Sequence, residues 1–109
     1  MDLSGKCKLL TIYINEDAKY DGHNLYHYLV LKLKEMGVAG VTVSRGLESY
    51  GKNKRLHTAK ILDLSLSLPI IVEVIDTEEQ IDRILPIVKS VVNGGLITLT
   101  SIEVVQYGK

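Results

Sequence analysis

Five cationic side chains, Arg45, Lys52, Lys54, Arg55 and Lys60, fall within sixteen residues of the chain. The stretch between them reads Gly46-Leu-Glu-Ser-Tyr50-Gly51-Lys52-Asn-Lys54-Arg55-Leu-His57-Thr58. Arginine offers phosphate or carboxylate a planar, bidentate fork, and lysine adds a point charge. Gly46 and Gly51 let backbone N–H groups approach a ligand closely, because no Cβ stands in the way. Tyr50 supplies a contact for a base or a partner surface, and His57 an imidazole able to act as acid or base. In this order the residue types point to a segment that takes an anionic ligand or docks on an acidic partner. The bland alternative is a solvated basic loop that does neither. Length favours the first reading: residues 46 to 68 join two strands that a hairpin of roughly 2–5 residues could connect.

Other constellations lead to less. His23 and His27 are four apart, a spacing that can put two imidazoles on one metal, but Asn24 stands where a zinc protease needs its glutamate. On a helical wheel both lie opposite Leu25 and Leu29, which reads as a solvated face and not a metal site. Cys7 is the only cysteine. That excludes an intramolecular disulfide, a multi-thiolate metal site and a Cys-x-x-Cys metallochaperone, and leaves Cys7 as a strand residue. Glu73 sits in an apolar run, where pairing with an Arg or Lys at a subunit contact is its expected role. A second reading, a small enzyme or metal-binding protein, would use His57 and Glu73 as acid and base. Asn15-Glu16-Asp17-Ala18 is acidic and does not fit the Arg-bearing loop of an acylphosphatase. No Ser-His-Asp or Cys-His set has a nucleophile's context. With 13 Lys plus Arg against 13 Asp plus Glu, the net charge is zero. The chain therefore carries no overall footprint for nucleic acid, and Ile-Ile-Val-Glu-Val-Ile lacks the stacking aromatics of an RNA-binding sheet.

These residues need elements to position them. The 109 residues suffice for one domain, residues 1–109, and 46% hydrophobic with 24% charged residues argues against disorder. Six Tyr with no Phe or Trp means a core of Ile, Leu and Val, which favours helices packed on a sheet. Residues 6–14 alternate as a strand, with Leu10, Ile12 and Ile14 on one face and Leu9, Thr11 and Tyr13 on the other. Asn15 to Tyr20 reads as a polar loop. Asp21 reads as the N-cap of a helix that reaches about Met36, with Gly37 as its C′ residue. Residues 40–45 and 69–75 are predicted strands. Thr77 and Gln80 have capping-box spacing for a helix over 78–92. Its apolar phase survives Pro86, so one kinked helix is predicted. Asn93-Gly94-Gly95 stops it, and a last strand runs from Leu96 to about Gln106. The order β-α-β-β-α-β gives an α+β, ferredoxin-like sandwich: a four-stranded antiparallel sheet, two helices on one face, and a long loop between strands 2 and 3.

Alternation also turns Leu9, Tyr13, Ile71 and Ile75 away from the helices, where an antiparallel sheet with one wet face should be polar. An apolar second face predicts burial against other subunits, with Tyr13 packed there. No run approaches the roughly 18 to 20 apolar residues of a membrane span. The opening residues lack the pattern of a signal peptide. A soluble, cytoplasmic protein is expected.

Several short matches at consistent spacing carry a family likeness. They are Gly40-Val-Thr-Val-Ser-Arg45-Gly46, Tyr50-Gly51, His57-Thr58-Ala59, Leu64-Ser65, Leu68-Pro69, Glu73 and Gly95-Leu96-Ile97-Thr98. Over roughly residues 7 to 107 the chain resembles an uncharacterised family of PII-like proteins. The resemblance implies a ferredoxin-like protomer, a homotrimer, a long T-loop between the second and third strands, and a regulatory role without catalysis or cofactor. PII relatives bind adenine nucleotides between subunits, near the T-loop base and the turn after the second helix. By position Arg45 and Gly46 match the T-loop base, and Gly94-Gly95 that turn, which here lacks the basic residue of typical PII proteins. The expected ligand is an adenine nucleotide or another anionic metabolite. On binding, it would reorder residues 46–58, with Arg45, Lys52, Lys54 and Arg55 supplying charge. The resemblance also implies a membrane transport protein as a partner.

Overall fold

A computed structural model describes residues 3–46, 48–50, 56–58 and 68–108. Strands β1 (Gly5–Asn15), β2 (Lys19–Tyr20) and β3 (His23–Asn24) precede helix α1 (Leu25–Glu35). Strands β4 (Gly40–Arg45), β5 (Glu48–Tyr50), β6 (Leu56–Thr58) and β7 (Pro69–Asp76) follow, then helix α2 (Glu78–Val91) and strand β8 (Leu96–Val104). Four strands form one sheet in the order β4-β7-β1-β8. All its pairs are antiparallel, with Leu10 opposite Val74 and Leu99, and Val43 opposite Val72. This is the expected ferredoxin-like α+β arrangement.

Periodicity explains the layering. Leu10, Ile12 and Ile14 of β1 and Ile70, Val72 and Val74 of β7 point to one face and are buried. Leu25, Leu29 and Leu33 of α1 and Ile81, Ile84, Val88 and Val91 of α2 close over them. Each such side chain contributes about 1.5–3 kcal/mol on leaving water, which makes this layer the main source of stability. Helix α2 runs unbroken through Pro86, with Thr77 Oγ1 accepting from the Gln80 N–H at 3.2 Å. The other half of the predicted capping box is replaced. Thr77 N–H donates to Asp76 Oδ1 at 2.7 Å, while the Gln80 amide reaches the Met36 carbonyl at the end of α1.

Three boundaries differ from the sequence expectation. Asp21 is not the N-cap of α1. Asp21 and Gly22 have φ of 50° and 79°. They turn the chain between Lys19-Tyr20 and His23-Asn24, a two-residue hairpin of the Asp-Gly kind. Asn24 caps the helix instead, its Oδ1 accepting from the His27 N–H at 3.2 Å. His23 therefore lies before the helix, not on it, and among the described residues no three metal-binding side chains converge. Second, the link after β4 contains a backbone ribbon, with Glu48 opposite Thr58 and Tyr50 opposite Leu56. Third, β8 ends at Val104, because its partner β1 begins at Gly5. The chain then leaves the edge strand, and the Tyr107 hydroxyl donates to the Ala39 carbonyl at 2.7 Å.

The helix-free face follows from the same registers. Leu9, Tyr13, Ile71 and Ile75 share it, as expected, with Tyr13 40% and Ile75 37% exposed. A polar row crosses between them: Thr42, Glu73, Thr11 and Thr98 lie directly opposite one another on four successive strands. Among the described residues no helix is long and apolar enough to cross a membrane.

Candidate anion-binding site

One end of the sheet carries four of the expected site residues: Arg45, Gly46, Gly94 and Gly95. Asn15 of β1 is opposite Pro69 and Arg45 of β4 is opposite Ile70, so both strands finish at this end. Leu96 is opposite Tyr13, which brings the turn after α2 there as well.

Arg45 is the last residue of β4, and its side chain is 58% exposed. It forms an ion pair with Glu16, whose side chain is 24% exposed. Glu16 is fixed by its own backbone: its N–H donates to the Leu68 carbonyl at 2.8 Å, and its carbonyl accepts from Asn24 Nδ2 at 3.4 Å. The N–H of Gly46 donates to the Pro69 carbonyl at 2.8 Å. A Cβ at Gly46 would stand 2.7 Å from Pro69 Cγ, so the two ends of the long link approach closely only because residue 46 has no side chain.

Gly94 has φ +85°, a left-handed conformation that glycine adopts without strain. A Cβ on Gly95 would stand 2.7 Å from the Tyr13 carbonyl oxygen and 2.9 Å from both Ile14 Cγ2 and Val92 Cγ1. The turn is therefore pressed against the end of β1. The order β4-β7-β1-β8 places Arg45-Gly46 and Gly94-Gly95 on opposite edges. Three strand spacings separate those edges, roughly 14 Å. The two candidate segments thus share one end of the sheet but lie on opposite edges of it.

The remaining expected site residues divide in two. Tyr50 and His57 belong to the β5–β6 ribbon by backbone pairing, with His57 opposite Ser49. Gly51, Lys52, Lys54 and Arg55 lie outside the described residues, as does Lys60. The sequence reading missed Glu16 as a partner. It used the acidic Asn15-Glu16-Asp17-Ala18 stretch only to exclude one enzyme; the register that brings Asn15 and Arg45 to the same end of the sheet is seen only in the structure.

A hollow of about 270 Å³ lies on the helix-free face, away from Arg45. Leu3, Leu9, Ile75 and Val104 form its apolar wall; Thr42, Glu73, Gln106 and Tyr107 add polar groups. Glu73 is only partly exposed there, between Thr42 and Thr11.

Residues 7–104 match DUF190, described as an uncharacterized ACR. The chain belongs to the DUF190 family. It is 45% identical over 100 residues to a UPF0166 protein of Aquifex aeolicus (strain VF5), covering 92% of this chain and 94% of the relative. A UPF0166 protein of Methanocaldococcus jannaschii is 39% identical over 100 residues, covering 91% and 92%. Among solved structures, this DUF190 chain is similar to CPII from Thiomonas intermedia K12, a structure bound to ADP and bicarbonate. The TM-score is 0.61 at 18% identity, over 93% of this chain and 90% of that one. A protein from Thermus thermophilus, named for its likeness to PII signalling proteins, gives 0.58 at 23% identity, over 94% of each chain. The DUF190 chain thus has a PII-like fold.

Proposed function

We propose that this DUF190 protein is a cytoplasmic PII-like signalling protein. It forms a homotrimer, binds an adenine nucleotide between its subunits, and reports the bound state to a partner through residues 46–58. The observation that carries this reading is the split site. Arg45-Gly46 and Gly94-Gly95 occupy one end of the sheet but opposite edges. Copies packed around a three-fold axis bring the β4 edge of one against the β8 edge of the next, which makes one cleft from two halves. Arg45 then supplies the charge, Gly46 the close backbone approach, and the Gly94-Gly95 turn the facing N–H groups. CPII, of the same fold, is described as bound to ADP.

The helix-free face supports the assembly. Tyr13, Ile71, Ile75 and Leu96 give it apolar rows that a solvated sheet face would not carry. In the trimer the Glu73 carboxylate meets a cationic group of a neighbouring copy, since a charge removed from water is paired. Residues 46–58 leave the cleft directly after Gly46, so a ligand on Arg45 acts on the root of that segment. The family likeness makes a membrane transport protein the partner to test first.

A thermal-shift titration with ADP tests the reading. At a hundred times its dissociation constant, ADP should add roughly 2.7 kcal/mol of stability. No shift with millimolar ADP, AMP or ATP would rule the nucleotide out.

A further inference from the structure

Glu16 places an anion on Arg45 from within the chain. Its carboxylate sits on the guanidinium, while its N–H is held by Leu68 and its carbonyl by Asn24. Asn24 is itself fixed, because its Oδ1 caps α1 through the His27 N–H. The carboxylate is thus tethered on a short, anchored backbone, and an external anion competes with it for the Arg45 guanidinium. We infer that Glu16 is an internal competitor that sets which ligands the anion site accepts. This inference rests on the proposed role of Arg45 and names the selectivity of that same site.

Displacement decides the ligand class. A free carboxylate carries the same single charge and the same two oxygens as Glu16, yet loses translational freedom that the tethered group does not. It gains nothing by the exchange. A terminal phosphate carries more charge and an additional oxygen, so its contact with Arg45 exceeds the one it replaces. The site therefore selects phosphate-bearing ligands over simple carboxylates. The Glu16 backbone is hydrogen-bonded to Leu68, at the end of the long link, so the exchange takes place beside the root of that link.

The magnitude follows from the pair's exposure. A partly exposed ion pair favours its closed form by a factor of roughly 1.5 to 5. Apparent affinity falls in proportion to the fraction of open sites, so Glu16→Gln should tighten ADP binding roughly two- to six-fold. Both backbone bonds of residue 16 survive this substitution, so the fold is retained.

The experiment is a double-mutant cycle. ADP binding is measured by titration calorimetry for the wild type, Glu16→Gln, Arg45→Gln and the double variant. The expected result is tighter binding in Glu16→Gln, weaker binding in Arg45→Gln, and no gain from Glu16→Gln once Arg45 is absent. If Arg45→Gln leaves ADP affinity unchanged, the anion site is misplaced and the competitor role falls with it. If Arg45→Gln weakens ADP while Glu16→Gln does not tighten it, the site stands and the competitor role is overturned. A gain from Glu16→Gln that persists in the Arg45→Gln background reflects bulk charge and also overturns it. No ADP binding by either the wild type or Glu16→Gln rejects both.

Discussion

Replacing Asp76 by Ala removes a side chain that the sequence presents as an ordinary strand end. Asp76 is fully buried, and each of its carboxylate oxygens accepts one backbone amide: Ala39 N–H at 2.8 Å and Thr77 N–H at 2.7 Å. The first amide precedes β4 and the second is the N-cap residue of α2. One carboxylate therefore ties the start of α2 to an amide 37 residues before Asp76 in the chain. Asp76→Ala leaves both donors without this acceptor, at about 1–3 kcal/mol for each. Part of that is offset because a carboxylate no longer has to be desolvated. The expected net loss is about 3–4 kcal/mol, a large share of the roughly 5–15 kcal/mol available to a domain. Asp76→Asn keeps one acceptor but turns an NH₂ toward the other amide, so it should fall between wild type and Ala. Urea unfolding followed by circular dichroism, at one protein concentration, gives the numbers; the midpoint should fall with the slope unchanged. A loss below about 1 kcal/mol in Asp76→Ala would mean that water replaces the carboxylate and that these bonds do not hold the two turns.

Asn24→Ala should cost about 1 kcal/mol through loss of the α1 cap, whereas Asn24→Asp should keep it; helical circular dichroism during thermal melts reports both. Gly95→Ala puts a Cβ against the Tyr13 carbonyl oxygen and should destabilise by about 1–3 kcal/mol in the same melts, although Ala is otherwise benign in a turn. Ile71→Asp should dissociate the proposed trimer, because an unpaired charge would enter its interface; light scattering at micromolar concentration gives the mass, and an unchanged trimer would place the interface elsewhere.

The layered core was legible because its signal is periodic. Leu10, Ile12 and Ile14 against Leu9, Thr11 and Tyr13 is a period of two, and Ile81, Ile84 and Val88 follow a helical phase through Pro86, although the buried residue at the helix end is Val91 where the phase pointed to Val92. Local chemistry was harder to read where one dipeptide serves two motifs. Asp21 before an apolar helix looks like an N-cap, yet Asp-Gly is also a hairpin turn, and the turn prevails with Asn24 free to cap. The β5–β6 ribbon escaped notice because three paired residues on each side carry no usable period. Arg45 and Gly46 were legible only as candidates, from residue type and from the family resemblance. Glu16 and Asp76 were not, because their roles depend on partners 29 and 37 residues away, which only the sheet register brings together. The polar row Thr42-Glu73-Thr11-Thr98 was hidden for the same reason: it exists across four strands and in no single one.

Sedimentation velocity of the wild-type chain with ADP, followed at 260 nm, tests the nucleotide-binding trimer most directly. The chain has no Trp and only six Tyr, so adenine dominates the absorbance at that wavelength. The expected result is an ADP boundary that moves with a species of about 36 kDa, three copies of the 12.1 kDa chain. Arg45→Gln should leave that species in place and strip the nucleotide from it. A 12.1 kDa monomer, or a trimer that sediments without ADP at millimolar nucleotide, would contradict the proposed function.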